Sequence, residues 1–193
     1  QEREEKLQQL RSRYSALGDI AKKANGDNPL RLTFQRFVLA AFLDNVLELA
    51  SVSLRKMSKG RYHLRRAEES QDKRSAGGLD LVVFDAQTGV ERAVSTLSGG
   101  ESFLASLALA LGLAEVVQHY AGGIKLDAIF IDEGFGTLDA DALDLAISTL
   151  LELRQGGRMV GVISHVTELR ERIQTQLEIQ TTRQGSTTQF HLP

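Results

Sequence analysis

The sequence predicts an α/β domain with a mostly parallel sheet and flanking helices, preceded by a long helical segment. From residue 97 onward, apolar helices alternate with short apolar strands, as expected when helices cover a parallel sheet. Residues 1–24 are instead polar and repeat apolar or small residues at spacings of three and four, which is typical of a coiled coil. We therefore expect the end of a coiled coil over residues 1–28 and a globular lobe over residues 29–193.

Composition narrows the function classes only partly. The 193 residues suit one ordinary domain, and 42% hydrophobic residues are enough for a core. A net charge of −2 neither supports nor excludes nucleic-acid binding. The absence of cysteine excludes a disulfide framework and cysteine-based metal or redox sites, and it fits a reducing cytosol. No signal peptide or long apolar run is evident. The first residue is not Met, and we expect the chain to be part of a longer protein.

The N-terminal part is predicted to form two helices separated by a break at residues 25–29. Candidate seam positions of the first helix are Leu7, Leu10, Tyr14, Leu17, Ala21 and Ala24. An ordinary amphipathic helix is the alternative. The second helix is expected over about residues 30–58, with Asn28 as its cap and Pro29 at its first position.

The rest of the chain is predicted to alternate between short elements. We expect strands at 61–66, 79–85, 126–131 and 159–163, helices at 102–120, 141–153 and 167–172, and a hairpin of 176–181 with 187–191. Residues 67–78 are expected to form a loop, and residues 87–89 a turn.

The first candidate functional segment is Leu-Ser-Gly-Gly-Glu at residues 97–101, directly before a long helix. Ser98 is a good N-cap, and Gly99 and Gly100 allow backbone N–H groups to approach an anion at the helix N-terminus. A plain capped turn has the same sequence pattern, so this segment alone leaves both interpretations open.

The second segment places Asp132 and Glu133 at the carboxyl end of an apolar strand, the edge where α/β sheets bind ligands. Asp132 suits a Mg²⁺ site, and Glu133 can orient and deprotonate an attacking water. Asp139 can cap the next helix. His165 follows the strand at 159–163, where it can donate to a phosphate. The alternatives are solvated charges and a structural histidine.

The order of these segments resembles the second half of an ABC-type ATPase head: signature turn, acidic strand end (Walker B), Gly–Asp loop (D-loop), then histidine (H-loop). No G-x-x-x-x-G-K-[ST] motif (P-loop) occurs anywhere in the chain, and no Gly-Lys pair. The preceding helical segment instead resembles coiled-coil ATPases of the SMC type. Residues 34–43, 57–62, 132–139 and 163–166 are similar to the bacterial SbcC family, so the resemblance implies a C-terminal lobe of an ABC-type (P-loop NTPase) head plus a coiled-coil stump.

This resemblance implies that two heads enclose two ATP molecules. Ser98, Gly99 and Gly100 would contact the γ-phosphate held by the partner head, with Glu101 supporting their turn. In its own head, Asp132 would hold Mg²⁺, Glu133 would act on water, and His165 would contact the γ-phosphate. Asp139 would reach across the dimer.

The resemblance also implies partners and a location. The implied partners are a P-loop lobe of the same protein, a second head, an SbcD-type nuclease subunit, and double-stranded DNA ends and hairpins, in a cytoplasmic, nucleoid-associated setting without a membrane. A basic run without an acid, residues 55–66, could meet phosphates, although a solvated surface explains it at least as well. The alternatives to this function are another SMC-like or ABC head, a transporter subunit, which the missing P-loop and the helical N-terminus disfavour, or a structural coiled-coil module.

Overall fold

The structure is a computed structural model and describes residues 2–67, 78–120, 122, 126–155, 157–182 and 185–192. The α-helices are α1 (Glu2–Ala24), α2 (Phe34–Met57), α3 (Gly99–Tyr120), α4 (Ala140–Gln155) and α5 (Thr167–Arg172). The strands are β1 (Tyr62–Arg66), β2 (Leu81–Asp85), β3 (Val90–Ala93), β4 (Ala128–Asp132), β5 (Met159–Ile163), β6 (Gln176–Thr182) and β7 (Gly185–His191). Short 3₁₀ turns at Val94–Thr96 and Phe135–Thr137 precede α3 and α4.

Helix α1 confirms the predicted N-terminal helix. The apolar positions predicted for its seam, including Leu7, Leu10 and Leu17, are exposed, and Tyr14 is 82% exposed. A helix that leaves such a row uncovered lacks the burial that normally stabilises helices in water. The coiled coil over residues 1–28 stays a prediction.

Helix α2 begins later than the sequence predicts, and its cap is a different residue. Thr33 caps the helix, because the Arg36 N–H donates to Thr33 Oγ1 at 3.3 Å. Asn28 instead donates from Nδ2 to Lys23 O in the last turn of α1 at 2.8 Å and to Leu32 O in the connecting segment at 2.7 Å. Arg31 has a φ of 51°, a left-handed conformation that a helix cannot include. The prediction of a helix starting near residue 30 with Asn28 as its cap is therefore wrong.

The core is built where α2 crosses α3. Gly112 of α3 faces α2 so closely that an added Cβ would lie 2.6 Å from both Ala50 N and Val46 O. Strand β1 is tied to α2 by Ser51, whose Oγ donates to Leu64 O at 3.1 Å and accepts from Leu64 N–H at 3.0 Å. Buried residues of α2, α3, α4 and β1 form one continuous cluster.

Parallel strand pairing is present but less extensive than predicted. Strands β4 and β5 pair in parallel, as expected. The ladder β1-β2-β3 and the pair β6-β7 are antiparallel. Strand β3 was not predicted at all: the turn at 87–89, with Gly89 at a φ of 71°, returns the chain at once and so forms a hairpin. Within the described residues, the expectation of a mostly parallel sheet must be corrected to one parallel pair between antiparallel ladders.

Most of the loop predicted at 67–78 lies outside the described residues. By length and composition, α2 and α3 could each cross a membrane. Both helices contribute buried residues to the core, and core helices of globular proteins pass the same test.

Candidate functional site

The acidic strand end and the histidine lie next to each other at one edge of the parallel pair. Asp132, the last residue of β4, is in register with Ile163, the last residue of β5. The Glu133 N–H donates to Ile163 O at 2.9 Å, which extends the ladder by one residue. Two parallel strands that end in register therefore deliver Asp132, Glu133 and His165 to the same edge.

The loop after β4 has an unusual backbone that sets the direction of Glu133. Glu133 has a φ of 60° and Gly134 a φ of 95°, so two consecutive residues are left-handed. A non-glycine residue in this region carries strain, which is often found at functional sites. A Cβ at position 134 would lie 2.2 Å from the ring of Phe103. Phe103 packs edge-on against the buried Phe135 with ring centroids 4.9 Å apart, so the loop is anchored to the core.

Glu133 and His165 form a direct contact. Oε2 of Glu133 lies 2.9 Å from Nδ1 of His165, and the two side chains are 51% and 81% exposed. A carboxylate in this position can accept a proton or orient water, and an imidazole can donate to an anion. Because both groups face solvent, a ligand could reach them without rearrangement of the core.

The turn at residues 97–101 is a capping box at the start of α3. Ser98 Oγ accepts from Glu101 N–H at 3.3 Å, and Glu101 Oε2 accepts from Ser98 N–H at 2.9 Å. Each side chain thus satisfies the other residue's backbone donor. The expectation that Glu101 supports this turn agrees with these bonds.

The signature turn touches the loop that follows the acidic strand. A Cβ on Gly100 would lie 2.8 Å from Thr137 O, so glycine is needed there for packing as well as for any ligand. Asp139 caps α4, since its Oδ1 accepts from Ala142 N–H at 2.8 Å. The signature turn and the loop after β4 thus meet at Gly100 and Thr137. Asp139 has the capping role that was one of its two possible roles in the sequence analysis.

A protein-family model and several sequence relatives match this chain. A family model described as SbcC/RAD50-like, Walker B motif, matches residues 66–152. The SbcC subunit of the SbcCD nuclease of Vibrio cholerae is 54% identical over 95% of this chain, and that of Treponema pallidum is 48% identical over 93%. The chain belongs to the SbcC family. It spans only 18% and 17% of the length of these two relatives.

Solved structures support the fold of this SbcC-family chain. A chain from a structural study of ATP-driven dimerization and DNA-stimulated activation of SMC ATPases has a TM-score of 0.60 at 17% identity, covering 80% of this chain and 88% of that one. The SMC head domain of Thermotoga maritima has a TM-score of 0.51 at 17% identity, covering 81% and 51%. The likeness establishes an SMC-type head fold, which confirms the predicted lobe of an ABC-type head. Within the described residues, only the share of parallel pairing differs from the predicted fold class.

The carboxylates of this SbcC-family chain fit a Mg²⁺ site in which the protein supplies only one or two of the ligands. Within the described residues, no group of three His, Asp or Glu side chains could hold a metal ion. Mg²⁺ at nucleotide sites commonly uses one or two carboxylates, with waters and phosphates as the other ligands. Asp132, exposed at the strand end, suits that limited role.

The basic run at residues 55–66 is largely neutralised by acids from other segments. Its ion pairs are Lys56–Glu152, Lys59–Asp141, Arg61–Asp85, Arg65–Glu91 and Arg66–Asp44. Lysines and arginines already paired with carboxylates are less available to phosphates. The structure therefore favours the alternative of a solvated surface over DNA contact by this run.

Two residues beside the signature turn of this SbcC-family chain, Tyr62 and Arg92, were not predicted from the sequence. Both side chains bond the carboxylate of Glu101. The Ser-x-x-Glu spacing of the capping box indicates from the sequence alone that Glu101 bonds to the turn. No local pattern could indicate its partners, because they come from β1 and β3 of the antiparallel ladder.

Proposed function

We propose that this chain is the C-terminal half of an ATP-hydrolysing head of a coiled-coil DNA-repair ATPase. The observation that carries the proposal is the Glu133–His165 pair, 2.9 Å apart at the ends of two parallel strands in an SbcC-family sequence. The chain has no P-loop, so the phosphates of ATP need a second lobe of the same protein.

Each site residue has a separate part in this reaction. Glu133 orients water towards the γ-phosphorus and accepts its proton as the new P–O bond forms and ADP leaves. His165 donates a hydrogen bond to the γ-phosphate. Asp132 holds Mg²⁺, which supplies charge neutralisation at the phosphates when bound.

The signature turn acts on the nucleotide of the other head. Ser98, Gly99 and Gly100 present a hydroxyl and backbone N–H groups at the positive end of α3, where an anion is favoured. Asp139, the cap of α4, reaches across the dimer towards the partner's site. ATP thus holds two heads together, and hydrolysis releases them.

The P-loop lobe has a candidate docking surface beside His165. A groove of about 730 Å³ runs along β5 and β6. The exposed apolar residues Phe130, Ile163 and Leu177 line it. Burial of apolar surface of this kind is the main driving force of association between lobes.

The first two helices supply a second surface, which we assign to the nuclease subunit and the returning coil. Tyr14 of α1 and Phe37 of α2 are both exposed aromatic residues, the type that dominates binding energy at interfaces. Double-stranded DNA is the substrate of the whole complex, which acts in the cytoplasm at the nucleoid. Loss of nuclease capture by folded Tyr14→Ala or Phe37→Asp variants would support this assignment, and undiminished capture by both would contradict it.

The test of the main proposal is reconstitution. The chain alone should show no ATP turnover, and mixing it with the P-loop lobe of the same protein should restore hydrolysis. A mixture with the Glu133→Gln chain controls for contaminating ATPases. Turnover by the pure chain that stays proportional to its concentration through purification would contradict the proposal, as would an inactive but stable complex of the two lobes.

A further inference from the structure

The carboxylate of Glu101 is the meeting point of donors from three separate segments. Tyr62 Oη donates to Oε1 at 2.5 Å, and Arg92 Nη2 donates to Oε2 at 3.2 Å. The Ser98 N–H of the capping box donates to the same Oε2 at 2.9 Å. Glu101 therefore ties the signature turn to β1 and β3 as well as to its own helix.

Tyr62 holds this arrangement from a buried position. Only 4% of the residue is exposed, and two guanidinium groups lie close to its ring. Arg61 Cζ lies 4.7 Å and Arg92 Cζ 5.3 Å from the ring centroid, both within cation–π range. Arg92 Nη2 also donates to Tyr62 Oη at 3.0 Å. The hydroxyl thus accepts from Arg92 and donates to Glu101.

The cluster is anchored in the antiparallel ladder. Arg61 donates through Nη2 at 2.8 Å and Nε at 3.1 Å to Oδ2 of Asp85, a residue that is only 2% exposed. Asp85 Oδ1 also accepts from Gln87 N–H at 2.9 Å in the turn after β2. This end of the network is anchored in the ladder, and Arg61 also reaches towards α3, since its Nη1 lies 3.9 Å from Glu101 Oε1.

The electrostatics keep Glu101 ionised and Tyr62 protonated. Burial raises the pKa of Glu101, but bonds from Tyr62 and the Ser98 N–H, with the charge of Arg92, outweigh it and hold the pKa below its ordinary value. Burial, and then the bond to Glu101, raise the pKa of Tyr62 to about 12. The Tyr62 hydroxyl is therefore a donor at any physiological pH.

We propose that Tyr62 and Arg92 are positioning residues that orient the signature turn towards the nucleotide of the partner head by clamping Glu101. The inference rests on the proposed function. The capping box alone orients Ser98 relative to α3, whereas the clamp orients it relative to the antiparallel ladder. A turn held only by its own helix would sample more orientations, and docking across the dimer would cost more entropy.

Tyr62→Phe in the full-length protein tests this directly, since it removes the hydroxyl and keeps the buried ring. ATP-driven association of heads should weaken roughly three- to tenfold, and the KM for ATP should rise by a similar factor, the scale of one hydrogen bond. Nucleotide affinity of dilute, unassociated heads should not change, and kcat at saturating ATP should stay within about twofold. Tyr120→Phe is the matched control, because its hydroxyl accepts from Asn45 Nδ2 at 3.0 Å at the far end of α3.

Arg92→Lys provides a second variant, should Tyr62→Phe fail to fold. Lysine keeps the positive charge of Arg92 but lacks the forked guanidinium donor. In the double variant, the loss of head association should be smaller than the sum of the two single losses, because both side chains act on Glu101. Association and KM equal to wild type in both folded variants would overturn the inference while leaving the proposed function standing. The inference would also be overturned, with the proposed function left standing, if Tyr120→Phe weakened head association and raised the KM for ATP as much as Tyr62→Phe does. A wild-type protein without ATP-driven association or turnover would overturn the proposed function and this inference with it.

Discussion

Nδ1 of His165 lies 2.9 Å from the carboxylate of Glu133, a residue that precedes it by the whole of α4 and β5. The contact exists because β4 and β5 are parallel and end in register, with Asp132 opposite Ile163. Glu133 makes this contact from a left-handed backbone conformation, with a φ of 60°. Two residues with separate candidate roles thus form one site.

Replacing Glu133 by Gln should stop the chemical step while leaving nucleotide binding. We expect turnover by the complete head to fall roughly 10²- to 10⁴-fold, the usual contribution of a general base. The ATP-bound dimer should accumulate in size-exclusion chromatography, since release depends on hydrolysis. Glu168→Gln, an exposed glutamate at the start of α5, is the control and should keep wild-type turnover. Near-normal turnover in Glu133→Gln would remove Glu133 from this role.

Replacing Ser98 by Arg should separate binding from association. ATP binding by a monomeric complete head should persist, but ATP-driven dimerisation should be lost, because the turn acts on the other head's nucleotide. Ser98→Asp is a sharper variant: aspartate caps a helix well, yet its negative charge would face a phosphate. Ser95→Arg, exposed in the preceding 3₁₀ turn, controls for added charge. Loss of monomer binding in Ser98→Asp would indicate a role within the same head.

Gly112→Ala should destabilise the crossing of α2 and α3. The new Cβ would meet backbone atoms of Val46 and Ala50 at 2.6 Å, and backbone cannot move aside as a side chain can. Overpacking of this kind costs about 1–3 kcal/mol in free energy of unfolding. Gly18→Ala in α1 has nothing within 4 Å of its Cβ and should stabilise its helix by up to about 1 kcal/mol. Thermal unfolding followed by circular dichroism measures both, and equal effects would contradict the packing argument.

The Arg61–Asp85 pair should make stability depend on acidity. Hydrogen bonds from Arg61, the largest cause, hold the pKa of Asp85 below its ordinary value. A depressed folded-state pKa means that this stability is complete above about pH 5 and is lost as the pH falls through the folded pKa. The Asp85→Asn variant should therefore have a lower free energy of unfolding than wild type at pH 7. Below pH 5, its free energy of unfolding should fall less steeply than that of wild type. Parallel pH profiles of unfolding for the two proteins would show that Asp85 is not the titrating group.

Much of the architecture could be predicted from local pattern. The bounds of β5 and α5 agree with prediction. Strand β5 is a short apolar run between polar turns, which local sequence is enough to predict. The start of α2 was not readable: Asn28-Pro29 looks like a cap, and only the left-handed Arg31 rules it out. Strand β3 was missed since its residues, Val-Glu-Arg-Ala, have little strand character away from β2.

The identity and order of the chemical groups follow from the sequence alone, because motifs such as residues 97–101 and 132–139 are contiguous. The capping box is equally readable, since its two bonds span three residues. Which groups touch one another depends on the folded chain. The Glu133–His165 pair, the neutralised basic run and the clamp of Tyr62 and Arg92 on Glu101 all join residues of different elements. Such contacts depend on strand register and helix crossing, which arise from packing of the whole core and leave no local pattern to read.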